Sequence, residues 1–349
     1  MTEHQTLKHH LAEWSQGDEF RDAIASTVLS IADSCCAIAE IIALGPLAGS
    51  LGARHGENTD GDTQIELDIR ANDLMIEEMR NAPVACVASE ELEEPVTLKP
   101  GASLCVAIDP LDGSSNIDTN VSVGSIFSIM PMRCASCAPS AQCFVQKGTE
   151  QLAAGYVIYG PQTALVLSVG DGTHIFTLNP DTGEFCLTSA KVQIPEQTNE
   201  FAINTSNFRR WDGHIRAYVD DCMQGADGPH GKNYNTRWIA SLVAECHRII
   251  ARGGIFLYPG DRRPAYQTGR LRLAYECNPI AFLVEQAGGG ATTGYQRILD
   301  LEPSDLHERV PLIFGSREEV DLLNHYYEEV QPAHERWQLF GDRGLFKTG

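Results

Sequence analysis

Basic residues are scarce in this sequence. The 349 residues include 26 Lys and Arg against 47 Asp and Glu, so the formal net charge is −21. Proteins that wrap nucleic acid or bind anionic membranes need a basic face, so the composition argues against both partners. It does not argue against an anionic substrate, because clustered carboxylates can hold divalent cations that in turn bind phosphate.

Long apolar runs and secretion signals are also lacking. Met1–Glu13 carries histidines and charged residues where a signal peptide needs an apolar core. Ile31–Leu44 contains Asp33 and Glu40, and it is too short to span a bilayer. The 11 cysteines follow no disulfide framework. We therefore expect free thiols in a cytoplasmic protein that enters no membrane.

Several familiar catalytic motifs are absent. The sequence contains no H-E-x-x-H, no P-loop, no G-x-G-x-x-G and no G-x-S-x-G elbow. These absences argue against a zinc protease of that type, the corresponding nucleotide-binding folds and an α/β-hydrolase. The chemistry has to come from other residues.

The pattern of elements indicates a mixed α/β protein. Helical spacing predicts a long helix from Asp18 to Gly45-Pro46 and a second helix over Asp68–Met79, with a loop over Gly49–Thr63 between them. Strand-like segments fill the rest of the first half, and strands alternate with helices in the second. We expect mixed sheets flanked by helices, in two halves of residues 1–197 and 198–349.

The most informative motif is Asp109–Asn116, which reads D-P-L-D-G-S-S-N and directly follows an apolar strand. Pro110 fixes a turn, so both aspartates can project to one side, and the amides after Gly113 can bind an anion. Carboxylates beside amide donors suit a phosphate site that uses a hard metal ion. The alternative is a capped turn with solvated aspartates.

Two further carboxylate groups and an arginine cluster accompany this motif. Glu90 and Glu91 follow another apolar strand, where an acidic loop is the alternative. Glu276 precedes a helix predicted to start at Pro279, where helix capping is the alternative. Nearby Arg270 and Arg272 are candidates for phosphate binding.

These motifs closely resemble class I fructose-1,6-bisphosphatases. The matching segments run in the family's order from about Asp18 to Tyr327, and they are Ser89–Glu91, Asp109–Asn116, Ala153–Tyr156, Gly253–Pro259 and Tyr275–Pro279. The D-P-L-D-G-S motif alone marks the wider lithium-sensitive sugar and inositol phosphatases. The second-half motifs narrow the resemblance to the bisphosphatases.

The resemblance implies a layered αβαβα fold, a homotetramer and hydrolysis of fructose 1,6-bisphosphate with Mg²⁺, or with Mn²⁺ or Zn²⁺. The metal ligands that the resemblance implies are Glu90, Asp109, the carbonyl of Leu111, Asp112 and Glu276. The residues that it implies act on the attacking water are Asp68, Asp62 and Glu91. Those that it implies bind the substrate are Gly113, Ser114, Asn204, Tyr258, Arg270 and, from a neighbouring subunit, Arg237.

The sequence departs from the family at informative places. Trp238 stands where familiar members carry a tyrosine that contacts the 6-phosphate. The basic and aromatic positions of the family's AMP site read Ser103, Leu104 and Pro131, so we predict weak or no inhibition by AMP.

Three cysteines, Cys134, Cys137 and Cys143, suggest either a thiol switch or metal clip, or simply free thiols. The functional alternatives are a dual enzyme that also cleaves sedoheptulose 1,7-bisphosphate and a non-catalytic sugar-phosphate sensor. The pathway would be gluconeogenesis or the Calvin cycle.

Overall fold

The structure is a computed structural model, and it describes residues 4–57, 63–133 and 140–328. Asp62, Cys134 and Cys137 lie outside these ranges. The described residues form these α-helices: α1 Leu7–Ser15, α2 Glu19–Leu44, α3 Glu66–Met79, α4 Gly213–Gln224, α5 Leu242–Arg252, α6 Asn278–Gln286 and α7 Arg317–Glu328.

The larger sheet has eight strands in the order β10-β9-β8-β7-β6-β5-β3-β4. It is antiparallel except for the parallel pair β3 and β5. Its strands are β3 Val84–Ser89, β4 Val96–Thr97, β5 Leu104–Asp112, β6 Val123–Pro131, β7 Ala153–Tyr159, β8 Thr163–Ser168, β9 Thr173–Asn179 and β10 Glu184–Val192.

The smaller sheet has five strands in the order β12-β11-β13-β17-β15, and β11 is parallel to both of its neighbours. Its strands are β11 Glu200–Ile203, β12 Asn235–Arg237, β13 Ile255–Tyr258, β15 Gly290–Thr292 and β17 Leu312–Gly315. Two short pairs complete the strands: β1 Arg54–Glu57 with β2 Thr63–Ile65, and β14 Leu271–Arg272 with β16 Arg309–Val310.

Side-chain alternation along the strands stacks these elements into layers. In β5, Val106 and Ile108 pack towards α1, α2 and α3, while the intervening residues face the other way. In β13, Phe256 packs towards α5 and α6, and Ile255 and Leu257 pack towards α4 and α7. The order is helices, large sheet, α5 and α6, small sheet, helices, so the predicted αβαβα layering is confirmed.

Helix α2 corrects one prediction from the sequence. Glu19–Ala48, which includes a short 3-10 turn, is long and apolar enough to cross a membrane by length and composition. Ile31–Leu44 alone is too short to span a bilayer, as the sequence indicated. The complete helical segment that contains it is long enough. A core helix meets the same criterion, and Val28, Ile31 and Ile38 of α2 are buried against α3 and the large sheet. Packing thus accounts for the buried face of α2, while Phe20 and Leu44 of the same helix are exposed.

Two local predictions also change. The segment predicted as a loop over Gly49–Thr63 contains β1 and the start of β2. The helix predicted to start at Pro279 begins earlier, since a π-helical turn over Leu273–Cys277 leads directly into α6. Pro279 lacks the N–H that would bond the carbonyl of Tyr275, which favours the wider turn.

Candidate active site

The site lies where β5 ends, between the large sheet and helix α5. The β5–β6 register is irregular between Asp109 and Asp112, so the strand bends and both aspartates fall on one side. The Leu111 amide donates to Asp109 Oδ1 at 3.1 Å, and the Ser125 hydroxyl donates to the Pro110 carbonyl at 2.7 Å. These bonds hold a β-bulge within β5, whereas the sequence predicted a turn at Pro110 after the strand had ended.

Glu276 completes a buried cluster of three carboxylates. One oxygen each of Asp109, Asp112 and Glu276 lies within 4.8 Å of the others. The π-helical turn aims Glu276 at β5, and the Arg272 amide donates to Glu276 Oε2 at 2.6 Å. The structure therefore brings together three of the predicted ligands, from positions more than 160 residues apart in the sequence.

The N-terminus of α5 holds Asp112. The Val243 amide donates to Asp112 Oδ2 at 3.0 Å, and the Ser241 hydroxyl donates to the same oxygen at 3.3 Å. The positive end of the helix dipole favours a carboxylate here. Gly113 has a φ of 75°, and a Cβ at this position would lie 3.3 Å from Ser241 Cβ, so glycine permits the close approach of the loop to α5.

Glu90 connects the cluster to a buried cation. Its amide donates to the Ile108 carbonyl at 3.0 Å, which seats Glu90 beside β5. The buried Arg272 guanidinium pairs with the Glu90 carboxylate. Arg272 is therefore an internal counter-ion of the acidic site, and its contact with phosphate stays a prediction.

Asp68 and Glu91 flank the cluster on the side of α3. The Ile65 amide donates to Asp68 Oδ2 at 2.8 Å, while Asp68 Oδ1 has no hydrogen-bond partner among the described residues. The Gln64 amide donates to Glu91 Oε2 at 2.7 Å. Hydrogen bonds from β2 thus orient both acids.

Burial is the largest cause of raised pKa values in five acids of this group. Burial raises the pKa of Asp68 to about 6, and burial followed by repulsion from Asp68 and Glu90 raises that of Glu91 to about 7. Burial raises the pKa of Asp112 to about 6. The pKa values of the two remaining acids lie well above their usual range, first through burial and then through the Glu90 charge: Asp109 and Glu276.

The donor set fits a hard divalent cation. Its converging carboxylate oxygens are buried, and repulsion between them is relieved when a cation binds. Carboxylate oxygens are the ligands that Mg²⁺ and Mn²⁺ prefer. The carbonyl of Leu111 stays a predicted ligand.

A second group of predicted residues lines a small pocket at the end of the five-stranded sheet. Asn204, Tyr258 and Arg270 border one cavity together with Trp211. The Arg270 guanidinium lies 4.4 Å from the centroid of the Tyr266 ring, and this contact orients it. A cationic group beside hydroxyl and amide donors suits a phosphate or sugar hydroxyls.

Arg237 lies apart from that pocket. It is on edge strand β12, and its guanidinium is 3.2 Å from Glu200, with 42% of the side chain exposed. Trp238 stacks on Phe256 and Tyr258 at 5.8 and 6.1 Å between ring centroids, so this departure from the family is absorbed by aromatic packing. Asp62 lies outside the described residues.

Sequence reasoning missed the residues that position the acids. The structure adds Gln64 at Glu91, Ser241 and Val243 at Asp112, and the ion pair of Arg272 with Glu90. The serine before an apolar helix was a detectable N-cap signal. The other contacts join distant segments and leave no signal in local spacing.

The fold and the carboxylate cluster define a layered α/β protein with a site for hard divalent cations. Residues 5–190 match the family model described as the N-terminal domain of fructose-1,6-bisphosphatase, and residues 194–328 match the model of its C-terminal domain. The chain belongs to the fructose-1,6-bisphosphatase family, and it is an enzyme of that family.

Individual relatives agree with this assignment. The chain is 52% identical to the class 1 fructose-1,6-bisphosphatase of Sinorhizobium medicae, over 98% of this chain and 99% of the relative. It is 51% identical to a class 1 enzyme of Nitrobacter hamburgensis, over all of both chains. The crystal structure of Leishmania major fructose-1,6-bisphosphatase in holo form superposes with a TM-score of 0.87, at 35% identity over 94% of this chain and 100% of that one.

The raised pKa values make the stability of the metal-free protein depend on pH. A folded pKa of about 6 for Asp112, against an unfolded 3.8, means that the folded state favours the protonated acid. The contribution of Asp112 to the free energy of unfolding is therefore largest below pH 4. It falls by about 3 kcal/mol as the pH rises through 6. A bound cation removes the penalty. We therefore expect Mg²⁺ to raise the melting temperature more at pH 8 than at pH 5.5, measured by scanning calorimetry.

The control for this measurement is Asp112→Asn, which removes one of the charges. The difference between the two pH values should shrink in that variant. An equal Mg²⁺-induced shift at both pH values in the unmodified chain would contradict the expectation.

Proposed function

We propose that the chain hydrolyses fructose 1,6-bisphosphate to fructose 6-phosphate and phosphate with Mg²⁺, in the cytoplasm. The observation that carries the proposal is the buried convergence of Asp109, Asp112 and Glu276. The named activity of the relatives supports it. Mn²⁺ or Zn²⁺ could replace Mg²⁺ at the same oxygens. The pathway would be gluconeogenesis or the Calvin cycle, and the wider lithium-sensitive phosphatases would be the parent superfamily.

The chain's own residues would divide the phosphoryl-transfer chemistry. Bound Mg²⁺ would supply charge neutralisation at the phosphoryl oxygens and the leaving alkoxide. Asp68 would orient and deprotonate the attacking water, with Glu91 beside it and Asp62 in support. The amides of Gly113 and Ser114, at the start of a short 3-10 helix, would bind the 1-phosphate.

The remote phosphate would bind in the second half of the chain. Asn204, Tyr258 and Arg270 would hold the sugar and the 6-phosphate, far from the bond that breaks, so they would contribute binding and orientation. Arg237 would complete this pocket from a neighbouring subunit of a homotetramer, and its partial exposure on edge strand β12 is compatible with that role. We retain residues 1–197 and 198–349 as the proposed halves.

The test is phosphate release from fructose 1,6-bisphosphate and from sedoheptulose 1,7-bisphosphate, with and without Mg²⁺ and after Asp112→Ala. Mg²⁺-dependent release from the fructose substrate that Asp112→Ala abolishes would support the proposal. Comparable turnover of both substrates would extend it to a dual bisphosphatase. Failure to turn over either substrate would overturn it.

Arg270→Gln is expected to raise the KM for fructose 1,6-bisphosphate about 10- to 100-fold and to change kcat far less. A lost charge-assisted hydrogen bond to phosphate is worth about 1.5–3 kcal/mol. The matched control is Arg262→Gln, because Arg262 is exposed in the same segment and lies outside the pocket that contains Asn204. Steady-state kinetics that give equal KM values for the two variants would contradict this role.

AMP is expected to inhibit weakly or not at all. Leu104 and Pro131 face each other across β5 and β6, and Leu104 is buried, so neither position offers a cation to a nucleotide phosphate. The check is phosphatase activity titrated with AMP at fixed substrate. Inhibition in the micromolar range would contradict the prediction.

A further inference from the structure

Three cysteine thiols lie together outside the candidate active site. The Sγ atoms of Cys86, Cys105 and Cys143 lie within 4.8 Å of one another, and all three residues are buried. The sequence had grouped Cys143 with Cys134 and Cys137. The structure instead places it beside two cysteines of the large sheet.

Strand register creates the first pair of thiols. Cys86 of β3 is registered with Cys105 of β5 in the parallel pair, so both side chains leave the same face of the sheet. Their Sγ atoms are 3.6 Å apart. Cys143 approaches from a short 3-10 helix over Ala141–Phe144, and the Ser140 amide donates to its Sγ at 3.5 Å.

A fourth sulfur lies beside the thiols. Met132 Sδ is 3.3 Å from Cys105 Sγ. The surrounding side chains belong to one apolar cluster that includes Phe144 and Leu306. Thiolate and thioether sulfurs in an apolar setting favour soft cations over Mg²⁺ or Ca²⁺.

The spacing of the thiols suits coordination. Zn–S bonds of about 2.3 Å in tetrahedral geometry separate the sulfurs by about 3.8 Å. The Cys86–Cys105 separation of 3.6 Å is already close to that value, and Cys143 has to move by less than about 1 Å to reach it. The hydrogen bond that Cys86 shares with the Cys105 thiol lowers the pKa of Cys86, which favours a thiolate at this position.

We propose that Cys86, Cys105 and Cys143 form a buried binding site for a thiophilic cation of the Zn²⁺, Cd²⁺ and Cu⁺ class, with Met132 as a further sulfur neighbour. Two of the three thiols lose their protons to solvent as their sulfurs bond a divalent ion, the third stays protonated, and no electron is transferred. A divalent ion with two thiolates and one thiol is neutral, which keeps the cost of burial low. The proposal does not depend on the proposed phosphatase function.

The test uses Cd²⁺ as the probe, with the full chain reduced and in excess Mg²⁺ so that the carboxylate cluster is occupied. About one Cd²⁺ per chain should bind tightly and give an ultraviolet thiolate-to-cadmium charge-transfer band. Cys86→Ser and Cys105→Ser should weaken binding by at least about 100-fold, since changes one shell further from a metal already cost about 10- to 100-fold. Cys186→Ser and Asp112→Asn should leave the band unchanged.

A measurement on the unmodified chain guards against variants that fail to fold. Over hours, when opening of the folded chain exposes buried thiols to the reagent, Cd²⁺ should slow the alkylation of Cys86, Cys105 and Cys143 and leave that of Cys186 unchanged, read residue by residue by mass spectrometry. Absence of the band, or protection of Cys134 and Cys137 in place of Cys86 and Cys105, would overturn the proposal. So would a mass decrease that shows a Cys86–Cys105 disulfide formed under the same reducing conditions.

Discussion

Asp112→Asn is expected to lower the Mg²⁺-dependent rate of phosphate release from fructose 1,6-bisphosphate by about 1,000-fold, or about 4 kcal/mol in the barrier. The amide is close in size to the carboxylate, and its oxygen can still accept from the Val243 amide and the Ser241 hydroxyl. The variant therefore keeps the local fold and removes one negative charge from the cation site. The loss reports cation binding rather than unfolding.

The measurement is kcat/KM over a Mg²⁺ titration, with Asp181→Asn as the matched control in an exposed turn. The melting temperature of the metal-free Asp112→Asn protein at pH 8 should be at or above that of the unmodified chain, because a repelling buried charge is gone. Activity within about threefold of the unmodified chain at saturating Mg²⁺ would remove Asp112 from the proposed mechanism.

Asp68→Asn is expected to lower kcat by about 100- to 10,000-fold with little change in KM. Asp68 is buried, its Oδ2 is held by the Ile65 amide, and Oδ1 has no hydrogen-bond partner among the described residues. An asparagine can occupy the same position but cannot accept a proton from water. Its effect should therefore fall on the chemical step.

The pH profile gives an independent check on Asp68. Burial raises its pKa to about 6, and only the deprotonated form acts as a base, so activity should rise with pH through this range or below it once a cation is bound. Asp68→Asn should lose this rise of activity with pH, which is the acidic limb of the profile. Asp73→Asn, at an exposed position of the same helix α3, should retain both rate and profile. Retention of the limb in Asp68→Asn would assign it to another acid, such as Glu91.

Local sequence accounted for the end of β3, but β5 continues through a β-bulge to Asp112 instead of ending before Asp109. D-P-L-D-G-S contains a proline at the bulge, two acids at the right interval and a glycine at a positive φ, and each of these acts within a few residues. The long helix α2 was also visible, because Asp18 caps it and its apolar residues recur at helical spacing. Two apolar residues of α2 are exceptions, since Phe20 is 41% exposed and Leu44 is 53% exposed.

Pairings between distant segments could not be obtained in this way. How the sheets stack decides three features of the site. These are the start of the π-helical turn, the hydrogen bonds from α5 to Asp112 and the partner of Arg272. Strand register also determines which cysteine thiols lie close together. Sequence spacing grouped Cys143 with its neighbours in the chain, whereas the pairing of β3 with β5 brings Cys86 and Cys105 to it.

The sequence by itself determined the acidic residues, their spacing and the α/β pattern, because motif spacing and side-chain periodicity are local properties of the chain. The tertiary structure alone decided which carboxylates share one cation site, which of them Arg272 neutralises and which thiols meet. Those outcomes depend on strand register and layer packing, through which burial and charge–charge repulsion raise the pKa values of Asp68, Asp112 and Glu91.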